Sequence, residues 1–125
     1  MQIFKTKWVV GFSRRERFLD ATLCAAISRV ESGLVDADLG GGIVKIRVAR
    51  AGQGRSGGYR MLIAYRAGAR AVFLYGFAKA ERGNITADEL LTLREIGAGW
   101  LAADMRQTGH AVEAGVLQEV SDGPG

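Results

Sequence analysis

Residues 59–66 (YRMLIAYR) and 71–78 (AVFLYGFA) are two runs of β-branched, aromatic and aliphatic residues separated by little more than Ala67, Gly68 and Ala69. So short a link joins antiparallel neighbours, because a parallel crossover needs a dozen residues or more. A fold containing these runs is therefore organised around an antiparallel pair. Upstream, residues 43–49 alternate: Val44, Ile46 and Val48 point one way, Lys45 and Arg47 the other. This is the pattern of a half-buried strand. Residues 50–58 (RAGQGRSGG) are expected to form a flexible glycine-rich connection to the next strand. They lack the Gly-Lys-Ser/Thr ending of a phosphate-cradling loop and open no helix, so they read as a hairpin loop.

Around this centre the chain shows two helical patterns. Residues 3–10 read as a first strand ended by Gly11. Ser13 and Glu16 have capping-box spacing, and Leu19, Leu23, Ile27 and Val30 form an apolar stripe, predicting a helix over about 14–32 that stops at Gly33. After a polar loop at 79–85, Thr86 and Glu89 form a second capping box, with Ile85 and Leu90 spaced as a hydrophobic staple. The helix they open is predicted to reach about Met105 through Leu90, Leu93, Ile96 and Leu101, weakened at Gly97 and Gly99. The element order is β-α-β-β-β-α. It predicts an α+β fold, a small twisted antiparallel sheet with the N-terminal helix packed on one face and the other face open. The 125 residues fit one domain, taken as 1–107. Residues 108–125 are expected to be a loosely ordered tail, with at most a short ordered piece at 116–120.

Composition narrows the chemistry. No apolar run approaches the roughly 18–20 residues that span a bilayer, and Met1 leads straight into a strand-like stretch, so a cytoplasmic protein is expected. The single cysteine, Cys24, excludes an internal disulfide and reads as a small buried hydrophobe. The single histidine, His110, lies in the tail and reads as solvent-exposed. Neither Ser13 nor Ser56 has a histidine placed to activate it. No Cys, His and carboxylate cluster has metal-ligand spacing, and no cofactor is expected.

The charges are unevenly placed. Lys45, Arg47, Arg50, Arg55, Arg60, Arg66, Arg70, Lys79 and Arg82 share their stretch with one acid, Glu81, whereas the other segments hold eight basic and twelve acidic residues. This asymmetry points to a polyanionic partner. RNA carries its own nucleophile, the 2′-hydroxyl. A protein that cleaves it needs only to move protons and to stabilise charge on the phosphate oxygens. Arg suits the second task through its planar fork of donors, and a Lys crowded by other cations suits the first. A non-catalytic RNA-binding sheet has a similar charge pattern.

The segments LGGGIVKIRVAR, GRSGGYRMLIAYR and VFLYGFAKAERGNIT resemble, in order, the signature segments of RelE-type toxins. They most resemble the HigB-type branch of type II toxin–antitoxin systems, over about residues 15–105. The resemblance implies a RelE/ParE-like fold, metal-independent cleavage of mRNA on the ribosome, and neutralisation by an antitoxin of helix-turn-helix type. It maps Lys45 and Arg47 onto the family's Tyr-Lys-x-Lys strand and Arg60 onto its Gly-Tyr-Arg motif. Lys79 and Arg82 fall in the basic segment after the last strand. These five are the expected catalytic residues, with Arg50, Arg55, Tyr59 and Arg66 as expected RNA contacts. The chain departs from the pattern at Val44 in place of tyrosine, at Ala80 in place of arginine, and at Ile85 or Thr86 in place of a late tyrosine. Tyr59, Tyr65 and Tyr75 are candidates for stacking on a base or for the core. Trp100, Leu101 and the tail are candidates for antitoxin contact. A ParE-like gyrase poison and a non-catalytic nucleic-acid-binding module are the alternatives on the same fold.

Overall fold

The computed structural model describes residues 1–49 and 58–121. In chain order the elements are β1 (Gln2–Thr6), α1 (Lys7–Glu16), α2 (Asp20–Glu31), β2 (Ala37–Asp38), β3 (Ile43–Val48), β4 (Tyr59–Arg66), β5 (Arg70–Ala78), α3 (Ala87–Ala102), α4 (Met105–Glu113) and β6 (Leu117–Glu119). The strands form one mixed sheet in the order β2-β3-β4-β5-β1-β6. The expected β4–β5 antiparallel pair is at its centre. β1 returns alongside β5 in parallel, and the other pairings are antiparallel.

The N-terminal region differs from the expectation of a long strand and one helix. Thr6 ends β1 and caps α1, its hydroxyl accepting a hydrogen bond from the Val9 backbone N–H. Trp8, Val9, Val10 and Gly11 are therefore helical. Ser13 is not a cap but a buried residue of α1, on one side with Val9 and Phe12. The β-branched pair Val9–Val10 imitates a continuing strand, but the i, i+3, i+4 spacing of Val9, Phe12 and Ser13 is that of a helix packed on one side. Arg17, in the left-handed region with φ 60°, ends α1, and α2 starts afresh at Asp20.

Both faces of the sheet are covered. On one, Val9, Phe12, Leu23, Ala26, Ile27 and Val30 of α1 and α2 pack against Val44, Ile46, Val48, Met61, Ile63 and Phe73. On the other, Leu93 and Leu101 of α3 and Ala111 of α4 join Phe4, Ile43, Leu62, Ala64, Val72 and Leu74. This two-sided burial explains why β4 and β5 read as nearly continuous apolar runs rather than alternating ones. An irregularity in the β4–β5 register between Leu62 and Ile63 leaves Leu74 as an extra residue and reverses the alternation beyond it. Gly76 then faces Met61 and Phe12, where a Cβ would lie 2.5 Å from the Met61 sulfur. Phe77 turns to the face of its register partner Arg60.

The segment expected to be a loose tail is ordered through residue 121. Asp104 and Gln107 cap α4 reciprocally, and β6 pairs with β1, completing the sheet edge. Leu117 and Val120 are buried. The expected ordered piece at 116–120 coincides with β6. Of the glycines that disguise this region, Gly109 lies within α4 and Gly115 in the turn after it, with φ +75°.

Candidate nucleic-acid interface

The register of β3 on β4 arranges the cations. Lys45 lies opposite Leu62 and Arg47 opposite Arg60, while Leu62 in turn faces Tyr75 and Arg60 faces Phe77 on β5. Residues opposite each other in an antiparallel pair share a face, and so do residues two apart on a strand. Lys45, Arg47 and Arg60 therefore stand on one face, the face that α3 covers farther along. Val44, Ile46 and Val48 are buried on the other, as the alternation predicts.

Within this group the side chains differ in availability. Lys45 is half-buried and Arg47 exposed. Arg60 is buried, its Nε 3.1 Å from Asp36 Oδ2, and Arg47 Nη2 is 3.7 Å from Asp36 Oδ1. One carboxylate thus lies between two guanidiniums that the sheet register forces side by side. Asp36 was no part of the sequence-based site. The signal for it is the need for a counter-charge wherever two arginines are paired across strands and one is buried.

Lys79 is exposed at the end of β5, at the same end of the sheet as Arg60, and its backbone N–H donates to Gly58 O. Arg82 is committed to the fold. Its guanidinium is held by both carboxylate oxygens of Glu89, donates to Asn84 O and to the Tyr75 hydroxyl at 3.5 Å, and lies 5.6 Å over the Phe77 ring. The hydrogen bonds from Arg82, joined by the Thr86 backbone N–H, hold the Glu89 carboxyl at about 2, well below its usual range, and Glu89 raises Arg82 in turn. The capping box predicted at Thr86 and Glu89 is present, so one carboxylate both starts α3 and anchors the basic loop before it.

The expected RNA contacts fare differently. Tyr59 is a core aromatic, 2% exposed, with edge contacts to Phe12 and Phe18. Strand alternation puts it under the α1–α2 side, away from the cations, so it is not a surface for a base. Arg66 is exposed but at the far end of β4, six residues and about 20 Å from Arg60. Arg50 and Arg55, with the glycine-rich loop and Ser56, lie outside the described residues. Arg70 is structural: it donates to Trp100 O, Ala103 O and the Gln2 side chain, closing the end of α3 onto β5 and β1.

Of the other singled-out residues, Cys24 is half-buried against the α1–α2 core and His110 is exposed on α4. Leu101 belongs to the core, while Trp100 is partly buried beside it. Among the described residues no group of three His, Cys, Asp or Glu side chains is placed to hold a metal ion, and no helix is long and apolar enough to cross a membrane.

A mixed sheet with helices on both faces and a cationic strand pair at one end of one face defines a small α+β protein. The family described as RelE toxin of the RelE/RelB toxin–antitoxin system matches residues 1–120, and the chain belongs to that family. Comparison with curated proteins gives no match.

Proposed function

We propose that this RelE-family chain is a toxin of the HigB-type branch that cleaves mRNA on the ribosome and is silenced by a helix-turn-helix antitoxin. The observation that carries the reading is the β3–β4 register, which gathers Lys45, Arg47 and Arg60 on one face with Lys79 at the same end of the sheet. In-line attack by a 2′-hydroxyl forms the 2′-O–P bond and breaks the P–O5′ bond, leaving a 2′,3′-cyclic phosphate and a free 5′-hydroxyl. Negative charge grows on the non-bridging oxygens, where fixed cations count most. Arg47, exposed on that face, is assigned the direct phosphate contact. Arg60 shapes the same potential from beneath, through Asp36. The 2′-hydroxyl proton passes to a lysine side chain in its neutral amine form, the 5′-oxygen takes a proton from a lysine ammonium, and Lys45 and Lys79 are assigned this pair of roles. Arg82 is assigned to holding the loop that presents Lys79.

A ParE-like gyrase poison is the second reading. It is favoured by the engagement of Arg60 with Asp36 and by Ala80 at the position where the family pattern has an arginine. Purified ribosomes programmed with mRNA distinguish the two. Scission of the message is expected. Intact message together with blocked DNA supercoiling would move the assignment to the second reading.

A further inference from the structure

Beside the cationic face a cleft of about 320 Å³ opens between β5 and the first turns of α3, lined by Tyr75, Asp88, Glu89, Thr92 and Leu93. Tyr75 also touches Trp8, whose ring lies 4.3 Å away and which is 41% exposed, a large aromatic surface left open on a small protein. Trp8 in turn stacks on Phe12 at 5.2 Å. We propose that this cleft receives one unpaired nucleobase of the RNA and that Asp88 selects bases carrying an exocyclic amino group. The inference rests on the RNA-cleaving reading above.

Three features favour this occupant. The walls are largely apolar, with an aromatic ring, as a flat heterocycle requires. Charge complementarity places the rest of the nucleotide: Tyr75 is in register with Leu62 and hence with Lys45, so a base against Tyr75 sets its phosphate toward the Lys45 and Arg47 face. The cleft's polar groups are also unequal. Glu89 is taken up by Arg82 and by the Thr86 backbone, and the Thr92 hydroxyl donates to the Asp88 backbone carbonyl, so among the described residues Asp88 is the carboxylate of the cleft open to a ligand. A carboxylate accepts from the amino group of cytosine, adenine or guanine, and uracil has no such group.

The test uses a Trp100→Phe protein, in which Trp8 is the remaining tryptophan. Its fluorescence is titrated with 2′-deoxy trinucleotides, which cannot be cleaved. Quenching is expected, with amino-bearing bases bound about tenfold more tightly than uracil. Thr92→Phe, at an exposed position where the fold tolerates it, fills the cleft. It is expected to abolish quenching and lower single-turnover cleavage of programmed ribosomes. Asp88→Ala is expected to keep the quenching and lose the preference. A Thr92→Phe protein with wild-type quenching, cleavage rate and base preference overturns the inference and leaves the nuclease reading intact. A wild-type protein inert on ribosomes yet quenched selectively by amino-bearing bases supports the cleft and overturns the nuclease reading instead.

Discussion

Arg60 Nε lies 3.1 Å from Asp36 Oδ2, with the arginine side chain 6% exposed and the aspartate 25%. Arg47 is opposite Arg60 in the sheet, so without Asp36 two guanidiniums would face each other, one of them buried. Removing one partner of a buried pair leaves an uncompensated charge and typically costs about 3–5 kcal/mol. Asp36→Asn is therefore expected to lower unfolding free energy by about 3 kcal/mol, toward the lower end because Asp36 is partly hydrated. Urea denaturation measures it. A loss below 0.5 kcal/mol would mean that Asp36 is not the counter-charge that keeps Arg60 in place.

The same pairing separates the roles of the cations. Arg47 reaches solvent and Arg60 does not, so Arg47→Ala is expected to lower single-turnover cleavage by about 10²–10³-fold, with little change in stability. Arg60→Ala is expected to lower both, because it frees Asp36 and empties a buried site. Cleavage at saturating toxin, beside a thermal melt of each variant, separates the two effects. An Arg47→Ala protein that cuts normally while Arg60→Ala retains full stability would reverse these assignments.

Much of this site is legible from residue order, and the missing parts have physical causes. The alternation at 43–49 tells which side of β3 is basic, and the short link after β4 tells which strands are neighbours. Neither gives the register of β3 on β4, which sets Arg47 opposite Arg60 across the long glycine-rich connection. Tyr59 is not legible in this way. It sits in the same strand as Arg60, and only the face it occupies, under Phe12 and Phe18, assigns it to the core. Asp36 lies in a weakly patterned loop, and its importance comes from a tertiary contact. α1 is concealed because Val9 and Val10 are good strand formers, and burial against β5 overrides that local preference.

Glu89 predicts a pH dependence. Its carboxyl sits at about 2 in the fold, chiefly through hydrogen bonds from Arg82, against an ordinary value of 4.5. The folded state therefore binds fewer protons than the unfolded chain between these values, and stability rises with pH across that window. The contribution is complete above about pH 4.5 and is lost as pH falls toward 2. Denaturation midpoints of wild type and Glu89→Gln, followed from pH 6 to 2, should converge at the acid end. A constant difference over that range would place the stabilisation elsewhere.

The C-terminal strand predicts an outcome for truncation. β6 covers the edge of β1, and its Leu117 and the following Val120 are buried. Ser121 N–H also donates to Asp20 Oδ2, the carboxylate that holds the buried Lys5. Ending the chain at Gly115 removes two buried apolar side chains worth about 1.5–3 kcal/mol each and bares a sheet edge. The shortened protein is expected to lose about 3–6 kcal/mol and to aggregate on heating. Wild-type melting behaviour would show that residues 116–121 add nothing to the sheet. Any test of antitoxin affinity by truncation must be read against this loss.

Two glycines in α3 allow a paired prediction. Both lower intrinsic helix stability by about 1 kcal/mol relative to alanine, but their surroundings differ. At Gly97 a Cβ would lie 2.8 Å from Ile43 Cδ1 and 3.1 Å from Ala64 Cβ, so the helix approaches the sheet there as closely as a residue without a side chain permits. At Gly99, apart from the adjoining residues and backbone of α3 itself, no atom of the described residues lies within 4 Å of that position. Gly99→Ala is therefore expected to stabilise the protein by up to about 1 kcal/mol. Gly97→Val is expected to destabilise it by about 1–3 kcal/mol through overpacking, moving α3 off β3 and β4. Because α3 also carries Glu89, which holds Arg82, the same displacement should weaken cleavage. Melting temperatures that rise for both substitutions would mean that α3 does not depend on its close approach at Gly97.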